Sequence, residues 1–440
     1  LTDEDSAIRL VTDHLGWDDW NLLGVEAVAV DPAHPDRLYL ALGTYTQPWA
    51  GKGAVLRSDD RGATWSRTDL GVQLGANEDG RGAGERLLVD PRDSDTLWLG
   101  TRHDGLLKST DRGATWAAVS GFPAAPSATG QGVVLLVAVG RAVYAGWGDG
   151  GGASVNLFRT LDGTSWEAVP GQPGGPSAKV PIRAAHDRHA HELYITYADA
   201  PGPNGQSAGS VHKLAVHTGT WTEVTPVRPG GTTDDGSADT FGYGGVAVDA
   251  RRPGTVVVST NNRWAAVDTL YRTTDGGRTW TSLKDSAVLD VSETPFLTFG
   301  ADRAKFGWWI QAVAVDPCDS RHVVYGTGAT LFGTRDLTHW SPWIRGLEET
   351  AVHVLISPPV GEAHLLSALG DVGVMYHERL TASPSRGMAT HPVFGSATGL
   401  AQAAGRPAYV VRTGWGDHGN GAYSNDGGRT WAPFGGQPAI

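Results

Sequence analysis

One eight-residue phrase recurs along this chain and limits the possible folds more than any other feature. The phrase reads Ser/Thr-x-Asp-x-Gly-x-Thr-Trp. Four complete and three eroded copies occur, at 58–65, 109–116, 273–280 and 424–431, and at 160–166, 218–221 and 334–340. The Asp can accept hydrogen bonds from the amides of its own turn, the Gly permits a positive φ, and the Trp offers a large apolar face. The phrase therefore predicts a hairpin turn with an aromatic anchor.

The spacing of the phrase tryptophans predicts the size of the repeating unit. From Trp65 to Trp431, successive tryptophans are separated by 51, 50, 55, 59, 60 and 91 residues. A four-stranded propeller blade takes roughly 40–50 residues, and longer units carry loop insertions. The last interval is wide enough for one more blade that lacks the phrase. The spacing therefore favours a series of blades over a single ordinary domain.

A second repeated phrase supports the same unit. It is a short apolar run ended by Asp-Pro or Asp-Ala, and its copies are at 28–32, 87–91, 246–250 and 313–317. Short Val-rich runs stopped by a turn are typical of buried strands. A polar turn and a second β-rich run follow, and then the hairpin. We therefore predict an all-β fold of the β-propeller class.

Charge, cysteine and histidine content exclude several classes of function. With 35 Lys+Arg, 47 Asp+Glu and no basic run, the net charge of −12 disfavours nucleic acid and anionic membranes and suits a neutral polysaccharide. The single Cys318 excludes an intrachain disulfide framework. The 15 histidines lack His-x-x-x-His spacing, so no metal or cofactor is expected. No apolar run is long enough to cross a membrane, and a monomer is expected.

Stretches between the repeated phrases resemble glycoside hydrolase family 74, which comprises xyloglucan-active endoglucanases and their reducing-end-specific relatives. These stretches are at 21–26, 43–49, 80–87, 194–203, 305–309 and 326–329. The repeated phrase alone would be weak evidence for this family, because sialidases and sorting receptors share it. The resemblance, by contrast, follows nearly the whole chain in order.

The resemblance implies two seven-bladed propellers that face each other across a cleft, with inverting hydrolysis of the β-1,4-glucan backbone of xyloglucan. Residues 1–345 would be the first propeller without its first blade, and residues 346–440 the opening blades of the second. The family takes one catalytic Asp from each propeller, and its general acid matches Asp371. Its general base belongs to a motif that this sequence does not contain. We therefore expect the base to lie upstream of Leu1, and this fragment alone to be inactive.

The chemistry of inversion gives Asp371 a defined task. One carboxylic acid protonates the leaving oxygen while a second carboxylate activates water, the two standing about 6.5–9.5 Å apart. Asp371 lies between an apolar strand and Gly-rich turn residues, from which its carboxylate could project into a cleft. From spacing alone, an ordinary turn Asp is the alternative, since Asp104 and Asp149 occupy similar strand ends. The family resemblance favours the catalytic role.

Four aromatic residues are predicted to contact the glycan, because pyranose rings pack on flat aromatic faces. The resemblance places Trp308 and Trp309 on the leaving-group side of the cleft. On a strand, only one of the two could face inward, whereas a loop could present both. Tyr45 and Trp49 follow a second strand, on the predicted rim, where the alternative is a structural loop anchor.

Two charged residues complete the predicted glycan site. Arg81 and Glu85 lie with Arg86 in a Gly-rich loop. They either bind sugar hydroxyls or form an internal ion pair that holds the loop.

The predicted function is a secreted, extracellular endo-β-1,4-glucanase specific for xyloglucan. The alternative within the family is an exo-acting, reducing-end-specific hydrolase of xyloglucan oligosaccharides. The short stretch 291–305 favours an open cleft and endo cleavage. Two other classes stay open. One is a sialidase, for which no arginine triad is evident; the other is a non-catalytic propeller that binds glycans or proteins.

Overall fold

The computed structural model describes residues 11–122, 130–148, 155–347, 350–416 and 420–435. Within these residues the helices are short 3₁₀ turns, at Trp17–Leu22, Pro176–Ala178, Lys284–Ser286 and Pro295–Thr298. Two compact units divide the chain. The first extends to Ala287 and resumes at Phe306–Thr338, and the second comprises Val288–Lys305 and the chain from His339. The predicted domain boundary after residue 345 stays a prediction.

The first three sheets are antiparallel meanders of four strands, paired in sequence order. The strands of sheet 1 are β1 (Val25–Val30), β2 (Leu38–Leu42), β3 (Ala54–Ser58) and β4 (Ser66–Asp69). Those of sheet 2 are β5 (Leu87–Val89), β6 (Leu97–Gly100), β7 (Leu106–Ser109) and β8 (Ala117–Ala118). Those of sheet 3 are β9 (Val133–Val139), β10 (Ala142–Trp147), β11 (Leu157–Thr160) and β12 (Glu167–Ala168).

The remainder of the first unit repeats this pattern. Sheet 4 consists of β13 (Val180–Asp187), β14 (Glu192–Ala198), β15 (Gly209–Ala215) and β16 (Thr220–Glu223). A hairpin of β17 (Gly231–Thr232) and β18 (Ala238–Asp239) follows. Sheet 5 consists of β19 (Gly242–Val248), β20 (Val256–Asn261), β21 (Leu270–Thr273) and β22 (Thr281–Ser282).

The strands that follow sheet 5 are divided between the two units. In the second unit, β23 (Val288–Leu289) pairs in parallel with a later strand. The first unit ends with the antiparallel strands of sheet 6, β24 (Ala312–Asp316), β25 (Asp319–Gly326) and β26 (Leu331–Thr334). The partner of β23 is β27 (His339–Pro342).

Two further sheets lie in the second unit. Sheet 7 has three strands, β28 (Val352–Ile356), β29 (Leu365–Leu369) and β30 (Gly373–His377). Sheet 8 has four, β31 (Ser396–Gln402), β32 (Val410–Trp415), β33 (Gly421–Ser424) and β34 (Ala432–Pro433). Sheet 7 falls in the wide tryptophan interval, where the sequence predicted a blade without the phrase.

The sheets pack as successive blades. In the first unit, the innermost strands β1, β5, β9, β13, β19 and β24 contact one another in that order. Apolar side chains fill the space between neighbouring sheets, as Tyr39, Val55, Leu97 and Leu107 do between sheets 1 and 2. Burying each such side chain contributes about 1.5–3 kcal/mol. The prediction of an all-β, β-propeller fold is confirmed.

The repeated phrase forms the predicted turn between the third and fourth strands of a sheet. In the first copy, the Gly62 N–H donates to Ser58 Oγ and the Thr64 N–H to Asp60 Oδ1, both at 2.8 Å. The Thr64 hydroxyl donates to Asp60 Oδ2 at 2.6 Å. The hydrogen bonds from Thr64 and Ser58 lower the pKa of Asp60 to about 2. The same bonds recur around Asp111, Asp275 and Asp426.

Two of the innermost strands, β1 and β24, are less buried than their Val-rich sequences predicted. Val28 and Val30 of β1 are 43% and 52% exposed. In the first unit these strands line a cavity of about 330 Å³, whose wall also includes Leu87, Ala138 and Ala184. The prediction of fully buried strands was therefore wrong for β1, because one face of this strand carries apolar side chains without being packed against another layer.

Candidate active site

The turn that joins β29 to β30 carries Asp371. Leu369 pairs with Gly373 at the base of this hairpin. Asp371 has a φ of +62° and Gly373 a φ of +91°. Few non-glycine residues adopt this left-handed conformation readily, and Asp is among those that do so most often. A positive φ is therefore compatible with Asp371 and shapes the turn that carries its side chain.

Neighbouring side chains hold this turn in place. Leu369 and Val372, on either side of the Gly-Asp pair, are buried in a cluster with Met375 and Met388. The N–H of Asp371 donates to the hydroxyl of Ser396, at the start of β31, at 2.7 Å. The backbone of the turn is therefore anchored both by apolar burial and by a hydrogen bond from the next sheet.

The carboxylate of Asp371 is left available. Its residue is exposed, and among the described residues no donor lies within hydrogen-bonding distance of its carboxylate oxygens. A carboxylate on a fixed backbone, with no internal donor in contact, is free to contact a ligand.

One exposed aromatic cluster of the first unit consists of three tryptophans. Trp308 and Trp309 lie in an irregular stretch before β24 and are partly buried. Trp264, which is 53% exposed, stacks on Trp308 with ring centroids 5.6 Å apart and planes 25° apart. It meets Trp309 edge to face at 5.9 Å. Because the stretch is a loop rather than a strand, both predicted residues contact the same exposed ring.

A buried carboxylate, Asp268, joins the two segments that carry this cluster. Its Oδ2 accepts the Trp309 N–H at 2.7 Å, and its Oδ1 accepts the Arg263 N–H at 3.0 Å. The Thr260 hydroxyl also donates to Oδ1, at 2.9 Å. Burial raises the pKa of Asp268 despite these bonds. Asp268 fixes the backbone on both sides of the aromatic cluster, and its carboxylate is itself buried.

A second aromatic cluster contains the other two predicted aromatic residues. Tyr45 and Trp49 have ring centroids 5.2 Å apart. Trp49 is 62% exposed and stacks on Trp20 at 6.0 Å with planes 22° apart. The Tyr45 hydroxyl accepts a hydrogen bond from Asn77 Nδ2 at 2.6 Å. The cluster offers an exposed aromatic face with a hydrogen-bonding group at its edge.

The two predicted charged residues are not brought together. Arg81 is exposed, and its Nη1 donates to the Glu78 carbonyl at 3.4 Å. Glu85 accepts from Arg183 Nη1 at 3.0 Å and from the Val28 N–H at 3.1 Å. The carboxylate of Glu85 is therefore engaged by other strands of the first unit, as the internal ion-pair alternative describes, although its partner is Arg183. Their roles in glycan binding stay predictions.

Several residues around these positions were not predicted. Trp20, Trp264 and Ser396 contact predicted residues, yet none was singled out from the sequence. Trp264 did carry a signal: it follows β20, the second strand of its sheet, just as Tyr45 follows β2 and Asp371 follows β29. Ser396 carried none, because it lies 25 residues from Asp371 and belongs to another sheet.

Among the residues that the structure describes, no group of three or more His, Cys, Asp or Glu side chains is arranged to hold a metal ion. Cys318 is an exposed free thiol.

Known proteins resemble this chain over almost its whole length. A xyloglucanase from Paenibacillus sp is 40% identical over 98% of this chain and 45% of its own length. An oligoxyloglucan-reducing end-specific xyloglucanase from Emericella nidulans is 36% identical over 98% of this chain and 60% of its own. The chain thus spans about half the length of the curated relatives that it matches. No family model matches the chain.

A solved structure agrees with these relatives. The GH74 xyloglucanase from Xanthomonas campestris superimposes with a TM-score of 0.88 at 36% identity, over 98% of this chain and 63% of the other. Over the stretch that it shares with these proteins, the chain is thus similar in both sequence and fold to GH74 xyloglucanases.

Proposed function

We propose that this chain is part of a xyloglucan-specific endo-β-1,4-glucanase that inverts the anomeric centre, with Asp371 as its general acid. One observation carries the proposal. An exposed carboxylate free of hydrogen-bond donors among the described residues stands on an anchored turn, in a chain 40% identical to a xyloglucanase. The exposed aromatic clusters add support, because a polysaccharide requires such surfaces.

The proposed step transfers one proton from Asp371. As the bond between the anomeric carbon and the glycosidic oxygen breaks, the Asp371 carboxyl proton moves to that oxygen. A water molecule forms the new carbon–oxygen bond on the opposite face and gives its proton to a second carboxylate. No residue of this chain is assigned as that second carboxylate.

The two aromatic clusters are proposed glycan platforms. Trp308 and Trp309, with Trp264, offer stacked and edge-on rings, whereas Tyr45 and Trp49 offer an exposed face beside a hydroxyl. The C–H face of a pyranose ring packs on such surfaces while polar groups bind its hydroxyls.

Endo action and an extracellular location complete the proposal. The stretch 291–305 includes only one short 3₁₀ turn, Pro295–Thr298, which supports an open cleft. A plant polysaccharide is met outside the cell, so the protein would be secreted. Within the described residues, no helix combines the length and the hydropathy needed to cross a bilayer.

The test is Asp371→Asn in the complete natural protein. Asn keeps the shape and tolerates a positive φ, yet it cannot donate a carboxyl proton. We expect release of reducing sugar from xyloglucan to fall about 10²–10⁴-fold, the usual contribution of a general acid. The matched control is Asp104→Asn, which changes an exposed Asp in the turn after β6, the second strand of sheet 2.

Near-normal hydrolysis by Asp371→Asn would reject the general-acid assignment. Equal losses from both variants would also count against it, since a general effect of the substitution would then explain the result. Binding of xyloglucan oligosaccharides without turnover by the unsubstituted natural protein would favour the alternative of a non-catalytic binding propeller.

A further inference from the structure

The conformation of the Asp371 turn depends on a neighbouring sheet. Asp371 has a positive φ, and the only hydrogen bond that its residue makes within the described chain is N–H to Ser396 Oγ, at 2.7 Å. Ser396 is 5% exposed, so its hydroxyl has little competing water. Because no donor contacts the carboxylate, the direction of the Asp371 side chain is set through its backbone.

A second hydrogen bond connects the same two sheets. Nδ1 of His353 lies 2.7 Å from the carbonyl oxygen of Ala397, the residue after Ser396. A carbonyl can only accept, so Nδ1 carries the proton in this tautomer. The other side of the ring lies against the turn, because a Cβ placed on Gly370 would be 3.5 Å from His353 Nε2.

The position of His353 follows from a β-bulge. Val352 pairs with Leu369 and Val354 with Ala368, so His353 is the extra residue between them. A bulge redirects a side chain and often stands beside an active site. Here it turns the imidazole toward both Gly370 and Ala397.

The segment before Ser396 is fixed as well. The buried guanidinium of Arg412 lies 4.6 Å over the Phe394 ring and donates to the Pro392 carbonyl. The Phe394 carbonyl in turn lies so close to Gly373 that a Cβ there would be 3.1 Å away. Phe394, which precedes Ser396 by two residues, therefore lies between Arg412 and the Asp371 turn.

We propose that Ser396 is a positioning residue for the Asp371 carboxyl group, and that His353 supports it by holding the adjacent Ala397. This inference rests on the proposed function. Ser396 acts through the Asp371 backbone and not on the reacting atoms. It holds the amide of Asp371, and hence the direction from which the proton is delivered to the leaving oxygen.

The experiment compares Ser396→Ala, Ser396→Thr and Ser367→Ala in the complete natural protein. Ser367 is a matched control: it is 3% exposed, lies in the strand before Asp371, and its hydroxyl forms a hydrogen bond with the His377 ring at 2.9 Å. Two substrates are used, xyloglucan and an aryl β-glycoside of a xyloglucan oligosaccharide whose nitrophenol leaving group needs little protonation.

We expect Ser396→Ala to lower kcat on xyloglucan about tenfold to a hundredfold, since a misplacement near 1 Å can cost that much. KM should change little, and kcat on the aryl glycoside should stay within about twofold. Ser396→Thr, which retains the hydroxyl, should restore kcat on xyloglucan. His353→Ala should show the same substrate pattern with a smaller loss, and His353→Asn, which retains an N–H, should recover part of it.

Equal losses on both substrates, or a loss that Ser367→Ala reproduces, would overturn the proposal in favour of a purely structural role. So would an unchanged Ser396→Ala variant. If that variant fails to fold, amide exchange in the unsubstituted protein decides, because an unprotected Asp371 amide contradicts the hydrogen bond. Asp371→Asn distinguishes the two proposals. If this variant hydrolyses xyloglucan normally, the general-acid assignment is rejected. If it loses hydrolysis while Ser396→Ala is unaffected, only the positioning role is rejected.

Discussion

Two kinds of aspartate stand in the turns of this protein. In the repeated phrase, Asp60 accepts hydrogen bonds from the amide and hydroxyl of Thr64 and from Ser58, all within eight residues of chain. At the end of β29, Asp371 accepts none from the described residues, and it is the hydroxyl of Ser396 on another sheet that bonds its backbone. One carboxylate is fully used by its own turn, and the other is not.

The difference shows how the same residue type is assigned to structure or to chemistry. A carboxylate that several donors contact is stabilised in its charged form, as the lowered pKa of Asp60, about 2, indicates. Such a group is a poor proton donor near neutral pH. When a distant hydroxyl satisfies the turn instead, the carboxylate remains free to bind a ligand or to exchange a proton.

The largest effect should come from Asp371→Gly. Glycine fits the positive φ of this position without steric cost, but it removes the carboxyl group. In the complete natural protein we expect xyloglucan hydrolysis to fall about 10²–10⁴-fold while Tm changes by less than about 2 °C. Reducing-sugar release and differential scanning calorimetry measure the two quantities. A clear drop in Tm would mean that the Asp371 side chain also holds its turn, and the contrast with Asp60 would fail.

A buried carboxylate, Glu26, should give the largest loss of stability. Its Oε1 lies 2.9 Å from Arg86 Nε and 3.1 Å from Arg102 Nε, and its Oε2 accepts the Gly75 N–H at 2.8 Å. Removing one partner of such a buried group costs about 3–5 kcal/mol. Glu26→Gln should therefore lower the free energy of unfolding by that amount, measured by urea denaturation.

The control for Glu26 is a surface ion pair. Glu223 bonds Arg228 at 2.9 Å, and Arg228 is 77% exposed. Glu223→Gln should cost less than about 1 kcal/mol. If the two substitutions cost the same, engagement by buried partners would not be what distinguishes a structural carboxylate in this protein.

The smallest effect should come from a substitution in the repeated phrase, at Asp60. Asp60→Ala removes three hydrogen bonds of an exposed turn, so we expect Tm to fall by roughly 2–4 °C with kcat on xyloglucan unchanged. Because the folded-state pKa of about 2 lies below the ordinary 3.8, the contribution of Asp60 is present above about pH 4 and is lost as the pH falls toward 2. The Tm difference between Asp60→Ala and the unsubstituted protein should shrink over that interval. A difference that stays undiminished down to pH 2 would show that the charge is not what holds the turn.

Much of the fold could be predicted because its interactions are local. Each phrase turn contains its own donors and acceptors, and each short apolar run is a strand, so the number and order of the blades follow from the sequence. The site was less accessible. Asp371 and the residues Trp308, Trp309, Tyr45 and Trp49 came from a family resemblance, and their roles stay predictions. Trp20 and Trp264 became visible only when their rings were found against predicted residues.

By itself, the sequence determined the repeated hairpin turn, the all-β blades and the missing phrase in sheet 7, because the interactions responsible lie within a few residues of one another. The tertiary structure decided which aspartate has a free carboxylate and which tryptophans form one surface. Those choices depend on partners such as Ser396, 25 residues from Asp371, and Asp268, 41 residues from Trp309. Contacts between sheets bring such residues together, and no local pattern of sequence encodes them.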